Sequence, residues 1–191
     1  METRPYIPWE LANNFMIDVF RAYGVPAEDA AICADVLLES DRRGIESHGC
    51  NRFKPIYLDR IKNGTLLPET KIDILKETPT TVVMDANNGM GMVASYHMMN
   101  KLIDKAKIYG MAGGAICNST HYGIAGYWSG MAEKEGLIGI TGTNARPSVV
   151  WGLLPSAESL DLSSAETEPS LSFFLSSGSS MMMTLEAGTS A

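Results

Sequence analysis

Two of the three histidines in this sequence lie in short loops of small polar residues. His48 follows Ser47 and precedes a glycine, and Arg52 comes four residues later. His121 lies in the segment 118–123 (NSTHYG). Imidazole is the side chain best suited to exchanging protons near neutral pH, and arginine can hold a carboxylate through two parallel hydrogen bonds. The loops indicate acid–base chemistry on a small carboxylic acid; the alternative is that each histidine only caps its turn.

The remaining candidate ligands do not form a metal-binding pattern. His97 falls in a predicted helix between methionines, which favours a packing or surface role. The sequence contains no H-x-x-x-H pair with nearby carboxylates, so no metal site is predicted. Its three cysteines show no C-x-x-C spacing. They therefore indicate neither a zinc site nor a disulfide framework.

A glycine motif precedes one predicted helix. Residues 89–94 (GMGMVA) fit the G-x-G-x-x-[GA] dinucleotide fingerprint and follow a predicted strand. That fingerprint also needs an acidic residue about 20 positions on, at the end of the second strand. The corresponding segment, 113–118 (GGAICN), contains none. We therefore predict a plain glycine turn; a Rossmann nucleotide-binding module is the alternative, and it requires a parallel sheet with strand 80–85 at its centre.

The elements that must position these loops change type along the chain. Helical periodicity predicts three helices, from Trp9 to a stop at Gly24, from Pro26 to Arg43, and from Arg52 to Lys62. After Pro68 the pattern predicts a hairpin, then alternating helices and strands, with strands near 72–74, 81–85, 112–117 and 137–141 and helices over 93–109 and 123–135. This order predicts an α+β (mixed α/β) fold.

Composition excludes several classes of protein. No apolar run approaches the roughly 20 residues that span a bilayer, and the N-terminus lacks a basic and apolar leader, so no membrane association is expected. Charge is dispersed and slightly acidic, which argues against nucleic-acid binding. The sparse, unpaired cysteines favour a cytoplasmic location.

The end of the chain differs from the rest. All 15 basic residues lie at or before Arg146, whereas residues 153–191 contain 11 serines and five acidic residues. This tail therefore carries −5 of the net charge of −7. Two kinds of sequence share the chain.

The first part resembles the type-2 malate/L-lactate dehydrogenase family of NAD(P)-dependent 2-hydroxyacid oxidoreductases, which also contains ureidoglycolate, sulfolactate and diketogulonate enzymes. The segments that carry the resemblance occur in order over roughly residues 8–150: 41–49 (DRRGIESHG), Arg52-Phe53 with Tyr57, 85–91 (DANNGMG), 118–127 (NSTHYGIAGY) and 139–148 (GITGTNARPS). The resemblance implies a helical part of a first domain (1–70), the start of an inserted non-Rossmann cofactor-binding domain (71–152) and an anomalous tail (153–191).

The resemblance also implies roles for the loop residues. His121 would take the hydroxyl proton as hydride leaves for the nicotinamide. His48 would line the same site and is the proton donor in some relatives, so which histidine transfers the proton stays open. Ser47 and Arg52 would orient the substrate, with Arg52 on its carboxylate. The expected substrates are malate or lactate.

Thr143 and Asn144 would lie near the cofactor, which the resemblance implies to be NAD or NADP. Family members are nearly twice as long as this chain, and their active site lies between the domains of a homodimer. The resemblance therefore implies that a C-terminal half is missing. The alternative to an active enzyme is an inactive fragment that at best dimerises with an intact relative.

The resemblance stops after Trp151-Gly152 and returns at 184–191 (TLEAGTSA), which is similar to the family's strand ending in an acidic residue. A temporary slip of the reading frame would explain this pattern, because aspartate codons read one base late become methionine codons, as at Met181–Met183. The alternative is a divergent, low-complexity linker.

Overall fold

The structure, a computed structural model, describes residues 7–143 and the backbone of 180–186. It contains five α-helices and five strands within those residues. The helices are α1 (Trp9–Ala22), α2 (Ala27–Arg42), α3 (Asp59–Lys62), α4 (Gly91–Tyr109) and α5 (Ala125–Lys134). The strands are β1 (Asp73–Glu77), β2 (Thr81–Asp85), β3 (Met111–Cys117), β4 (Leu137–Thr143) and β5 (Ser180–Glu186). The predicted mixed α/β class is confirmed.

The first two helices lie where the periodicity placed them. Helix α2 begins directly after Pro26, whose fixed φ suits a helix start, and Glu28 and Asp29 occupy its first turn, where a negative charge is favourable. Helices α1 and α2 pack against each other through buried residues that include Phe20 and Leu37. Gly24, with a φ of +88°, makes the turn between them.

The third predicted helix is less regular than expected. A 3₁₀ turn (Cys50–Arg52) leads into a π-helical segment (Phe53–Leu58), and only then does α3 begin. Pro55 lies inside the π-helical segment and has no N–H, so the α-helical bond from residue 55 to the Asn51 carbonyl cannot form. Single π-helical turns are frequent at functional sites.

The strands form one sheet in the order β1-β2-β3-β5-β4. Strands β1 and β2 form the predicted antiparallel hairpin, whereas β2 and β3 are parallel. Strand β5 is antiparallel to both β3 and β4. Strands β2, β3 and β4 therefore run in one direction, and their C-terminal ends lie at the same edge of the sheet.

This mixed sheet does not meet the requirement of the Rossmann alternative. Strand β2 precedes the glycine motif, but it is antiparallel to one neighbour and lies second from the edge of the described sheet. A Rossmann unit would place this strand at the centre of a parallel sheet. The prediction of a plain glycine turn agrees with the observed topology.

The tail contributes one strand. Residues 184–186, for which a family-like strand was expected, form the end of β5, and this strand begins four residues earlier, at Ser180. It fills the space between β3 and β4, pairing with each along its length. Asn144 and the tail residues 153–179 and 187–191 lie outside the described residues.

The buried core is continuous from α1 to the sheet. Helix α4 packs on β2 and β3, and Gly114 lets the thioether of Met98 lie against β3. Helices α2 and α4 also touch. The division between domains at residue 70 therefore stays a prediction. Within the described residues, no helix is both long and apolar enough to cross a bilayer.

Candidate active site

The loop that carries His121 follows β3 and lies beside the loop that follows β2. Because β2 and β3 are parallel, both loops leave the same edge of the sheet. The Asn88 N–H donates to the Asn118 carbonyl over 2.8 Å, and the Asn118 side chain donates to Asp85 over 2.8 Å. Asn118 has a φ of +48°, a conformation that asparagine tolerates better than most residues. These bonds fix the start of the His121 loop.

The glycine motif holds the middle of the same loop. The Gly91 N–H donates to Thr120 Oγ1 over 3.1 Å, and Thr120 Oγ1 donates to the Gly89 carbonyl over 2.9 Å. A Cβ at Gly91 would overlap the Thr120 carbonyl oxygen, and one at Gly89 would press on the Thr70 backbone. The glycines therefore permit a close approach between two protein loops and leave no open cradle for a pyrophosphate.

The end of the His121 loop is packed against α2. Gly123 has a φ of +81°, and a Cβ there would overlap the Val36 side chain. The Trp128 indole N–H donates to the Tyr122 carbonyl over 3.0 Å, and Arg43 donates to the Gly126 carbonyl over 3.1 Å. His121 is thus carried by a short loop that is fixed at both ends.

The His48 loop is folded back on the end of α2. The Asp41 carboxylate accepts the Cys50 N–H over 2.8 Å, and a Cβ at Gly49 would overlap that carboxylate. Ser47 Oγ lies 2.9 Å from His48 Nδ1. Arg52 Nε donates to the Ser47 carbonyl over 2.5 Å. Helix α2 therefore positions both histidine loops, one at its C-terminal end and one along its side.

The two histidine rings are stacked on each other. The ring centroids of His48 and His121 lie 5.5 Å apart, and the ring planes differ by 24°. Arg52 lies close enough to lower the pKa of each ring. Four of the predicted site residues, Ser47, His48, Arg52 and His121, are thus brought together.

Burial keeps His121 neutral. Its pKa is lowered to about 4, chiefly because burial disfavours the charged ring, with His48, Arg52 and Arg60 adding repulsion. The pKa of His48 is lowered as well, by partial burial and then by Arg52. Near neutral pH both rings are therefore uncharged, with Arg52 as a neighbouring cation.

The Nε atom of Arg52 orients the guanidinium group, and the two terminal nitrogens are available for binding. Its Nε atom is bound to the Ser47 carbonyl. In the described part of the chain, its two terminal nitrogens make no hydrogen bond and no ion pair. A guanidinium held in this way presents an N–H fork that matches a carboxylate.

Tyr57 belongs to the site although its role was not predicted. Its hydroxyl lies 2.6 Å from His121 Nδ1, and its ring meets the imidazole edge-on with centroids 5.7 Å apart. The side chain is fully buried. The signal in the sequence was a tyrosine on the apolar side of the third helix, since a buried phenol hydroxyl needs a polar partner.

Thr143 lies at the same edge of the sheet as the His121 loop. Both Thr143 of β4 and Ile116 of β3 pair with Ser180 of β5, so the three residues share one row. Two strand spacings separate Thr143 from β3, about 10 Å. Asn144, the other predicted cofactor residue, lies outside the described residues.

The other candidates lie away from this chemistry. His97 is on the exposed face of α4, next to the Tyr96 ring, as expected. Cys33, Cys50 and Cys117 are free thiols. Among the residues that the structure describes, no group of three or more His, Cys, Asp or Glu side chains could hold a metal ion.

Comparison with known proteins identifies the family. The sequence profile described as "Malate/L-lactate dehydrogenase" matches residues 7–152. The chain belongs to this family, and the resemblance stated above is confirmed.

Individual relatives agree with that assignment. The chain is 44% identical over 143 residues to a malate dehydrogenase of Pyrococcus abyssi, covering 75% of this chain and 39% of the relative. It is 43% identical over 140 residues to an L-sulfolactate dehydrogenase of Methanocaldococcus jannaschii, covering 73% and 40%. The crystal structure of malate dehydrogenase from Entamoeba histolytica superposes with a TM-score of 0.73 at 45% identity, covering 75% and 40%. The chain thus spans about 40% of the length of these relatives.

Proposed function

We propose that the chain provides the substrate end of an active site that transfers hydride between a small 2-hydroxy acid and a nicotinamide cofactor. The observation that carries this proposal is the stacked pair of His48 and His121 beside the open guanidinium of Arg52. Membership of a dehydrogenase family supports the reaction class.

The residues of the site suit the substrate's two functional groups. The terminal nitrogens of Arg52 would bind the carboxylate in a bidentate pair. Ser47 would support this orientation, because its carbonyl holds Arg52 and its hydroxyl contacts His48. His48 and His121 would face the 2-hydroxyl or 2-oxo oxygen and exchange its proton. Holding both ends of a small acid in this way fixes its C2 atom for hydride transfer.

We infer that the nicotinamide end of the cofactor would bind at this site. Bound there, NAD or NADP would supply the hydride acceptor. Thr143 would lie beside it, because the C-terminal end of β4 shares an edge with the His121 loop, and Asn144 would complete the contact. The filled turn at Gly89 and Gly91 does not fit a pyrophosphate, so the phosphates would be bound by other residues.

Malate is the first substrate to test and lactate the second. Malate dehydrogenases and an L-sulfolactate dehydrogenase are among the relatives, and all three acids share the 2-hydroxycarboxylate group. A homodimer in the cytoplasm is the assembly and location that we propose from the family resemblance and from the cysteine usage.

The direct test is reduction of a panel of 2-oxo acids by NADH and by NADPH with purified 1–191. We expect turnover that falls at least a hundredfold in His121→Ala or His48→Ala, as is typical when a positioned acid–base group is lost. His97→Ala is the matched control, since it removes an exposed histidine, and its rate should equal that of the wild type.

Equal rates in all four proteins would overturn the proposed site. Binding of 2-oxo acids without turnover would favour the second candidate function, a chain that acts only by pairing with an intact relative. Mixing the chain with such a relative and measuring its activity and its size in solution would then test that candidate.

A further inference from the structure

We propose that Tyr57 and the Gly123 backbone hold His121 as the neutral Nε2–H tautomer, so that His121 offers the substrate oxygen a hydrogen-bond donor while His48 exchanges the proton. The part that concerns the substrate rests on the proposed function. The tautomer itself follows from contacts within the protein.

Two groups meet at one nitrogen of His121. The Gly123 N–H lies 3.2 Å from Nδ1, and the Tyr57 hydroxyl lies 2.6 Å from the same atom. A backbone N–H can only donate, so Nδ1 must present a lone pair to Gly123. The ring proton of neutral His121 is therefore on Nε2.

The direction of the Tyr57 bond follows from this assignment. With no proton on Nδ1, the Tyr57 hydroxyl is the donor. Its other neighbour is the Met92 thioether at 3.6 Å, which is a weaker acceptor. The opposite arrangement, with Nδ1–H donating to Tyr57, would set that N–H against the Gly123 N–H. Tyr57 is thus a positioning residue that acts through His121.

The opposite nitrogen, Nε2, is not fully buried. Within the described residues, Nε2 has no hydrogen-bond partner, and the one buried, unpartnered side-chain polar atom is Ser95 Oγ. Nε2 therefore keeps access to solvent. Its proton is available to an oxygen atom of a bound substrate.

His121 is a poor proton acceptor in this arrangement. Protonating the ring would place a hydrogen on Nδ1, which would break the bond from the Gly123 N–H and require the Tyr57 hydroxyl to change from donor to acceptor. The charged groups around the ring oppose protonation as well, because Arg52 and Arg60 are cations and the neighbouring His48 also competes for a proton. A relay that left Tyr57 as a phenolate is unfavourable, since burial raises the pKa of that hydroxyl.

His48 has the freedom that His121 lacks. Its Nδ1 contacts the Ser47 hydroxyl, which can donate or accept, so either tautomer and the charged ring keep that bond. In the oxidation direction the substrate C2–H bond would break, and bound NAD or NADP would accept its electron pair as hydride. The hydroxyl O–H bond would break with its proton going to His48, and its electron pair would form the new C=O bond. The Nε2–H of His121 would donate to that oxygen throughout.

The tautomer can be read without substrate or cofactor. In the ¹⁵N-labelled full chain, long-range ¹H–¹⁵N correlation spectra separate the two neutral tautomers and the charged ring, and His48→Gln and His97→Gln assign the signals. We expect His121 to be neutral and protonated on Nε2 from about pH 5 to about pH 8. A proton on Nδ1, or a charged ring at neutral pH, would overturn the proposal.

Tyr57→Phe then tests the positioning role. Donors to the lone pair of the neutral ring lower its pKa, so removing the hydroxyl should raise the pKa of His121 by roughly half a unit to one unit. Tyr122→Phe is the matched control, because its hydroxyl is in the same loop and has no bond to Nδ1. Equal titration curves for Tyr57→Phe and the wild type would refute the role of Tyr57. A chain without turnover that shows this titration would refute only the proposed function.

Discussion

At the scale of single residues, the site combines a neutral imidazole pair with a fixed cation. Burial lowers the pKa of His121, and the proximity of Arg52 to both rings keeps a second positive charge out of the cluster. This arrangement lowers the stability of the fold in acid, because the same histidines bind protons more readily in an unfolded chain.

Acid should therefore destabilise the fold through His121. Its folded pKa of about 4 lies below the ordinary value of 6.5, so the unfolded state binds more protons between these values and stability falls as the pH drops through this window. The contribution is about 2 kcal/mol between about pH 7 and about pH 5. Urea unfolding of His121→Gln should show a correspondingly weaker pH dependence than unfolding of the wild type. An unchanged slope in His121→Gln would contradict the assignment.

Arg52 should control binding of the carboxylate. Arg52→Gln removes the charged fork, and a lost charge-assisted bond pair of this kind weakens binding roughly ten- to a hundredfold. The measurement is calorimetric titration with a 2-oxo acid. Arg60→Gln is the matched control, since Arg60 also acts electrostatically on His121 but is an exposed residue of α3. Equal losses in both variants would show that net charge, and not the fork, binds the acid.

At the scale of elements, the histidine loops depend on α2 and on the turn after β2. Neighbouring elements approach the His121 loop closely at Gly91 and Gly123, where a methyl group would overlap neighbouring atoms. The contact at Gly91 fixes the His121 loop against the turn after β2, and the contact at Gly123 fixes it against α2.

Gly123→Ala should destabilise the fold more than a glycine substitution of similar backbone geometry. Both Gly123 and Gly136 have positive φ, so alanine at either costs about 1–2 kcal/mol. Only at Gly123 does the added methyl group also meet Val36, which adds about 1–3 kcal/mol. Urea unfolding should therefore give Gly123→Ala a much lower free energy of unfolding than Gly136→Ala. Combining Gly123→Ala with Val36→Ala should show a favourable coupling, and strictly additive effects would argue against the contact.

The elements were predictable to different degrees. The hairpin, α4 and both histidine loops could be predicted because their periodicity and turn residues are local. The π-helical segment could not be predicted, since Pro55 indicates that a helical hydrogen bond is missing but not which hydrogen bonds form in its place. The contact between Tyr57 and His121 joins residues 64 positions apart, so only the packing of the third helix on the β3–α5 loop reveals it.

At the scale of the whole molecule, β5 connects β4 to the rest of the sheet. It is the one described strand of the tail, and it lies between β3 and β4. The family profile ends at residue 152, yet this strand ends in an acidic residue as the sequence resemblance implied. These observations support our proposal that residues 153 to about 183 arise from a temporary frame slip, and an uninterrupted frame in the transcript would refute it.

A proline in β5 should disrupt the whole sheet. Met182 pairs with Gly114 on one side and Thr141 on the other. Met182→Pro removes a backbone N–H from a strand with neighbours on both sides, which should cost about 3 kcal/mol or more. Met182→Ala keeps the N–H and is the control. Equal stability of the two variants in thermal unfolding would show that β5 does not form part of the sheet.

The order of the sheet also has a consequence for synthesis. Among the strands that the structure describes, β4 pairs only with β5, and β5 comes last along the chain. As the polypeptide leaves the ribosome, β3 and β4 therefore lack their shared neighbour β5 while the following 36 residues, 144–179, are translated. The backbone hydrogen-bonding groups that later pair with β5 are unpaired during this time. At about 5–20 residues per second that delay lasts roughly two to seven seconds. Nascent chains of this protein should accordingly depend on chaperones that bind exposed strands during that interval.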